Sequence, residues 1–196
     1  MTIARLVVSV LTGLLLSVEG TTFAQAPLPS HGQVEPPSGG LAPGEPATTG
    51  GITWTVPSSW TRGQGRPMRV ATYEVPASKG VEAGECAVFY FGRGQGGELD
   101  ANVQRWAGQF KEKPTPKRGR RTVAGMPVTR VDVEGTYLNP GGGMMQSQGE
   151  KPGYRLLGAI VEGPEGNVFF KLTGPKATVD AAEPAFDGLL ASLTHK

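Results

Sequence analysis

The segment most suggestive of chemistry is the glycine-rich stretch 92–97, Gly-Arg-Gly-Gln-Gly-Gly, between a predicted strand and a predicted helix. Gly92, Gly94 and Gly97 have the spacing of a dinucleotide-binding loop, in which glycines let backbone N–H groups approach a pyrophosphate. The flanking elements, however, do not alternate as β-α-β, and no acidic residue follows where one would bind the ribose. We therefore favour a flexible strand-to-helix connection, and anion binding by Arg93, Gly94 and Gly97 stays open as the alternative.

A second candidate is the run of basic residues after that helix. Lysine and arginine dominate residues 111–121, where Glu112 is the only acid. Such a run can attract phosphate or an anionic polymer of the cell envelope, and salt should weaken the contact. No aromatic residue interleaves with the cations, which argues against single-stranded nucleic acid. The candidate ligand-binding residues are Lys117, Arg118, Arg120 and Arg121, and the simpler alternative is a solvated basic loop.

The other reactive side chains form no catalytic set. Cys86 would need a nearby base or cation, yet the histidines are His31 and His195, close to the two ends of the chain. We interpret Cys86, inside an apolar strand, as a core residue. No Gly-x-Ser-x-Gly, P-loop or His-Glu-x-x-His motif occurs, so a serine hydrolase, an NTPase or a zinc protease is not indicated.

Methionines are the only soft metal ligands present in number. Met144 and Met145, with Met68 and Met126, could bind copper outside the cytoplasm, but their spacing matches no copper motif. We therefore predict no metal site and no cofactor.

The N-terminal residues have the order of a secretory signal peptide. Arg5 precedes an apolar run at 6–18, which is followed by small residues as far as Ala24. This run is shorter than the ~20 apolar residues of a spanning helix, and we expect no transmembrane segment. We place cleavage after Ala24, and a cut after Ala26 is the alternative. We thus expect a periplasmic or secreted protein.

The chain then divides into a leader and one folded domain. Eleven of the twenty-four residues at 27–50 are proline or glycine, and such a segment buries too little apolar area to offset its ordering entropy. We predict a signal peptide at 1–24, a disordered leader at 25–50 and a single domain at 51–196. The formal net charge of +2 is too small to indicate a nucleic-acid partner.

Within the domain, strand patterns dominate the middle and helical patterns lie towards each end. The helical pattern at 99–110 repeats apolar residues at steps of four, three and four, and Pro114 should stop it. A second helix near the C-terminus should kink or restart at Pro184. These elements predict an α+β fold with an antiparallel sheet of six to seven strands and helices packed on it. The predicted strands are 52–56, 68–75, 85–91, 121–123, 128–137, 154–161 and 167–172.

This layout resembles the PsbP-like fold. The residues that carry the resemblance are Trp54-x-x-Pro57-x-x-Trp60, the hairpin at 125–127 and the closing segment 186–193. The resemblance implies an α/β/α sandwich and a binding, assembly or stabilising role, since PsbP-like proteins are mostly not enzymes. It transfers no functional residue to this chain.

Three functions follow from these observations. The leading hypothesis is a non-catalytic binding or envelope-associated module whose partner is an envelope protein or an anionic envelope polymer. The first alternative is a small enzyme whose carboxylates meet Arg93 or Tyr90 beside the glycine-rich loop. The second is an anion-binding protein that uses the basic loop.

Overall fold

Two antiparallel sheets and two helices form the described part of the chain. The computed structural model describes residue 44 and residues 46–78, 80–138 and 149–195. No helix in these residues is long and apolar enough to cross a membrane. The elements are β1 (Pro46–Thr49), β2 (Ile52–Thr55), β3 (Thr61–Arg62), β4 (Ala71–Val75), β5 (Gly84–Tyr90), α1 (Leu99–Ala107), β6 (Lys117–Val123), β7 (Met126–Tyr137), β8 (Lys151–Gly163), β9 (Gly166–Pro175), α2 (Lys176–Ala191) and β10 (Thr194–His195).

The larger sheet has seven strands in the order β3-β4-β5-β9-β8-β7-β6, and the smaller sheet has the order β1-β2-β10. Every strand pair is antiparallel. Strand β5 is buried on both faces, because Cys86 and Val88 point to one side and Ala87 to the other. The α+β class and the antiparallel sheet predicted from the sequence are therefore confirmed.

One face of the large sheet, which we call the α2 face, is covered by helix α2 and the small sheet. Trp54 packs edge-on against Phe170 with ring centroids 5.2 Å apart, and its Nε1 donates a hydrogen bond of 3.2 Å to Tyr73 Oη. Trp60 is 1% exposed, so both tryptophans of the Trp-x-x-Pro-x-x-Trp segment belong to this core. Their packing joins the small sheet to the large one.

The opposite face, which we call the α1 face, is only partly covered. Helix α1 packs Val103 and Trp106 against the part of the sheet formed by β7 and β8. Trp106 lies directly over Gly158, where an added Cβ would overlap its ring. The predicted amphipathic helix is thus confirmed, although it ends at Ala107 rather than continuing to Pro114.

Some sequence predictions placed element boundaries differently from the structure. Strand β1 lies inside the segment predicted as a disordered leader, because Pro46–Thr49 pairs with Ile52–Thr55. The second predicted strand begins at Ala71 rather than Met68, which has a φ of 65°. Helix α2 runs through Pro184 without restarting. The rest of the predicted leader and the signal peptide lie outside the described residues.

Candidate functional site

The glycine-rich loop owes its composition to its own backbone conformation. Gly92, Gly94, Gly96 and Gly97 all have positive φ angles, which residues with a side chain rarely adopt. Asn102 of α1 closes the loop, because its Nδ2 donates to the carbonyls of Gly96 at 2.8 Å and Gly97 at 3.3 Å. Since the described sheets are antiparallel throughout, this loop is not part of a β-α-β unit. Arg93, the charged residue within this loop, is exposed.

The predicted basic loop is strand β6, at the edge of the large sheet. Arg118 and Arg120 point to the α1 face, where Arg118 pairs with Asp100 and Arg120 lies 3.1 Å from Glu162. Lys117 and Arg121 alternate with them and point to the other face. The four candidate residues are therefore divided between two faces, and two of them already have carboxylate partners.

The structure shows a site that the sequence analysis missed, a cleft of about 1180 Å³ on the α1 face. Helix α1 covers β7 and β8 and leaves β4, β5 and the adjoining part of β9 open. The floor contains Ala87 and its cross-strand partner Lys171, and Gly158 is the partner of Lys171 on the other side. Because Ala87 is small, there is open space above its side of Lys171, whereas the position over Gly158 is occupied by Trp106.

One wall of the cleft is aromatic. Phe89 and Phe91 lie nearly parallel, with ring centroids 6.3 Å apart, and Phe91 packs edge-on against Phe169 at 5.8 Å. Phe89 and Phe91 are partly exposed, so this wall can take apolar surface from a ligand. Trp106 lines the side of the cleft formed by α1.

Lys171 lies on the floor without an ion-pair partner in the described chain. Its Nζ donates a hydrogen bond of 3.1 Å to Tyr137 Oη and lies 5.3 Å from the centroid of the same ring. Burial lowers the pKa of Lys171 to about 8, the charge of Arg69 lowers it further, and Glu85 partly opposes both. Burial likewise raises the pKa of Tyr137 to about 12. The pair therefore presents an ammonium group and a phenol that stays protonated at neutral pH.

Glu85, the carboxylate nearest the floor, is already neutralised. One of its oxygens lies 2.7 Å from Arg69 Nη1 and the other 3.3 Å from Arg66 Nη2. The guanidinium of Arg69 also stacks 5.7 Å above the Phe89 ring. Glu85 thus holds the 66–69 loop against the sheet and is not a free acid or base.

The residues suggested for an enzymatic site do not meet in this cleft. Arg93 and Glu98 are exposed and do not line it. The Tyr90 hydroxyl donates to the carbonyl of Glu165 at 2.9 Å. Glu85 lines the cleft, but its arginine partners come from the 66–69 loop rather than from the glycine-rich loop.

Two further polar atoms of the cleft have no hydrogen-bond partner among the described residues. They are Gln109 Oε1 and Thr173 Oγ1, and both are buried. An unsatisfied buried polar atom carries a desolvation penalty of about 1–3 kcal/mol.

On the α2 face the buried cation has a full set of carboxylates. Arg155 is bidentate to Asp132 at 2.7 and 3.0 Å and reaches Asp180 at 2.8 Å and Glu183 at 2.7 Å. These hydrogen bonds, that with Asp132 above all, raise the pKa of Arg155. Arg130 also pairs with Glu183. This network, which we call the Arg155 network, joins α2 to β7 and β8.

The remaining candidates form no site in the described residues. Cys86 is fully buried, as predicted, and burial raises the pKa of its thiol. Met126 belongs to the core of the α2 face, whereas Met68 lines the cleft on the other side, so these two do not converge. Met144 and Met145 lie outside the described residues, as does His31. Among the described residues, no group of three or more His, Cys, Asp or Glu side chains could hold a metal ion.

The fold is similar to that of solved structures. The solution structure of cyanobacterial PsbP (CyanoP) from Synechocystis matches with a TM-score of 0.52 and 13% identity, covering 87% of this chain and 100% of that one. A Pseudomonas aeruginosa protein of unknown function matches with a TM-score of 0.44 and 16% identity, covering 78% and 96%. A Bacteroides thetaiotaomicron structure gives 0.38 and 11%, covering 79% and 49%. No family model and no curated protein matches.

The likeness to cyanobacterial PsbP confirms the resemblance stated from the sequence. This chain has a PsbP-like fold, with α1 on one face of the large sheet and α2 on the other. At 13% identity the likeness defines the fold alone, so the function must be argued from the site.

Proposed function

We propose that this protein is a non-catalytic binding module that acts outside the cytoplasm and holds a ligand in the cleft on the α1 face. The observation that carries this proposal is the cleft itself, with its aromatic wall and with Lys171 and Tyr137 on its floor. Binding sites are typically concave and mostly apolar, with a few polar groups that orient the ligand. This cleft is concave and combines an aromatic wall with polar and charged side chains.

The chemistry of the cleft favours binding over catalysis. Both oxygens of Glu85 are paired with arginines, and Cys86 lies in the core beneath the floor. In the described chain, no serine, threonine or cysteine of the cleft is hydrogen-bonded to a histidine or carboxylate that could activate it. Lys171, whose pKa is lowered to about 8, is still mainly a charged ammonium group at neutral pH, which suits it to holding an anion rather than to attacking a ligand.

The extracytoplasmic location is supported by the order of residues at the N-terminus. If the signal peptide is cleaved after Ala24, the exported protein begins at Gln25. Expression of the full chain followed by intact-mass measurement of the exported fraction tests this. A full-length mass, found only in the cytoplasmic fraction, would refute the location.

Cleft binding can be tested by filling the floor. Nile red, an uncharged apolar dye, should bind the wild type saturably, and Ala87→Trp should weaken that binding by about tenfold or more because its ring occupies the cleft. Ala101→Trp adds the same ring at an exposed position of α1 and should bind as the wild type does. Ala87→Leu is a milder filling variant, and circular dichroism checks that all variants fold. Equal binding by all four proteins would contradict the proposal.

A further inference from the structure

We propose that the ligand of the cleft is an amphiphilic organic monocarboxylate, whose acid group binds Lys171 Nζ and Tyr137 Oη while its apolar body lies against Phe89, Phe91 and Phe169. This inference rests on the proposed function and specifies the chemical class of the ligand. It follows from the balance of charge in the cleft, from the hydrogen-bond donors on its floor and from its aromatic wall.

The cleft has a surplus of positive charge. Five cationic side chains and three carboxylates line it. Glu85 is shared between Arg66 and Arg69, and Lys151 lies 3.1 Å from Glu82. Arg105 and Lys171 have no carboxylate within ion-pair distance in the described chain. Of these two, Lys171 lies on the floor.

The floor offers hydrogen-bond donors to an anion. Tyr137 Oη accepts a hydrogen bond from Lys171 Nζ, and no described residue accepts the hydrogen that Tyr137 itself can donate. The ammonium group retains further N–H donors. Two neighbouring donors suit the two oxygens of a carboxylate, and hydrogen bonds to a charged group are the stronger kind.

The charge of the ligand is limited by the number of free cations on the floor. Glu85 is shared between Arg66 and Arg69, and Lys171 is the floor cation without a carboxylate partner among the described residues. A second negative charge on the ligand would find no second cation of this kind beside Lys171. A monocarboxylate therefore matches the floor better than a phosphate monoester.

The apolar body of the ligand is inferred from the aromatic wall that lies beside the floor of the cleft. Phe169 precedes Lys171 by two residues on β9, and Phe89 of the neighbouring strand β5 is the cross-strand partner of Phe169. An acid group on Lys171 therefore places the adjoining carbon atoms against these rings. The volume of about 1180 Å³ admits either an alkyl chain or a fused aromatic ring, and the experiment distinguishes these two sources.

Calorimetric titration at pH 7 with decanoate and with 2-naphthoate tests the inference. At least one acid should bind the wild type more tightly than its uncharged analogue, 1-decanol or 2-naphthalenemethanol, and the acid that binds identifies the apolar body. 2-Naphthyl phosphate should bind more weakly than 2-naphthoate. Lys171→Met should weaken acid binding about tenfold, equivalent to about 1.4 kcal/mol, and alcohol binding less than twofold. Tyr137→Phe should act in the same direction with a smaller effect.

The control variant is Lys113→Met, which removes an exposed lysine that does not line the cleft and should leave acid binding unchanged. Retained Nile red binding shows that Lys171→Met and Tyr137→Phe keep a folded cleft. If neither acid is preferred over its alcohol, or if Lys171→Met binds the acid as tightly as the wild type, the inference is overturned. Nile red binding lost by Ala87→Trp would in that case still support the cleft as a binding site. Absence of Nile red binding to the wild type would instead count against the proposed function.

Discussion

Each face of the large sheet carries a cation that points inward, Arg155 buried and Lys171 partly buried, but the surroundings of the two cations differ. Arg155 on β8 faces helix α2 and hydrogen-bonds to three carboxylates. Lys171 on the neighbouring strand β9 faces the cleft and hydrogen-bonds to a phenol. A buried charge is tolerated when it is paired. The paired cation therefore fastens a helix, whereas the unpaired one leaves a position that a ligand anion can fill.

The largest expected effect on stability comes from removing Arg155, the cation that has carboxylate partners. Arg155→Ala should lower the free energy of unfolding by about 3–5 kcal/mol, because it removes a buried side chain and leaves the partly buried Asp132 without its bidentate partner. Chemical denaturation of the purified domain measures this change. Arg120→Ala removes an exposed arginine with a single carboxylate partner and should cost less than about 1 kcal/mol. If the two variants lose equal stability, the Arg155 network does not fasten α2.

Removing the charge of Lys171 should change the free energy of unfolding in the opposite direction. Lys171→Met should raise the free energy of unfolding at pH 7 by about 1–3 kcal/mol, because methionine fills similar space without a buried charge. Urea denaturation provides the measurement. A variant that is less stable than the wild type would show that Lys171 is held by interactions stronger than its hydrogen bond to Tyr137.

The pH dependence sharpens the same prediction. The pKa of Lys171 is about 8 in the folded protein and near its ordinary 10.5 in the unfolded chain, so the unfolded chain binds more protons between these values. Stability from this group is present above 10.5 and is lost as the pH falls through about 8. The advantage of Lys171→Met should therefore shrink from pH 8 to about pH 9.5. Glu85, Arg69 and Tyr137 face Lys171 and are present in both proteins, so the difference isolates its titration.

Local patterns were enough to predict most of the fold. The apolar residues spaced at steps of four, three and four within 99–110 predicted helix α1, since an apolar helix face must pack against a core. The strands predicted at 85–91, 154–161 and 167–172 correspond to β5, β8 and β9. These features depend on residues close together in the chain, which is why the sequence reveals them.

The cleft depends on contacts between distant residues and was missed for that reason. The space beside Lys171 exists because its cross-strand partner Ala87, 84 residues earlier in the sequence, is small, while Trp106 fills the position over the other partner, Gly158. One signal was available, a lysine inside the apolar run Val168-Phe169-Phe170-Lys171-Leu172. A charged residue in the middle of a buried strand indicates either a partner or a site.

Strand β6 was predicted only at 121–123, and its first part was missed because an exposed edge strand needs no apolar alternation. All residues from Lys117 to Thr122 are exposed, so a run of cations is compatible with a strand there. Charged side chains, lysine especially, are common on edge strands because they discourage pairing with another sheet. The charge run therefore described the solvent exposure of this segment correctly but not its conformation.

Because Cys86 is buried, the reactivity of its thiol can report local opening of the large sheet. The thiol lies in the centre of the large sheet, between β4 and β9, and burial keeps it protonated. A thiol reagent can therefore label it only while β5 is transiently separated from its neighbours, and the labelling rate measures how often that happens. Any molecule that occupies the cleft above Ala87 should slow this labelling. One native cysteine thus provides a binding assay that needs neither a dye nor a mutation.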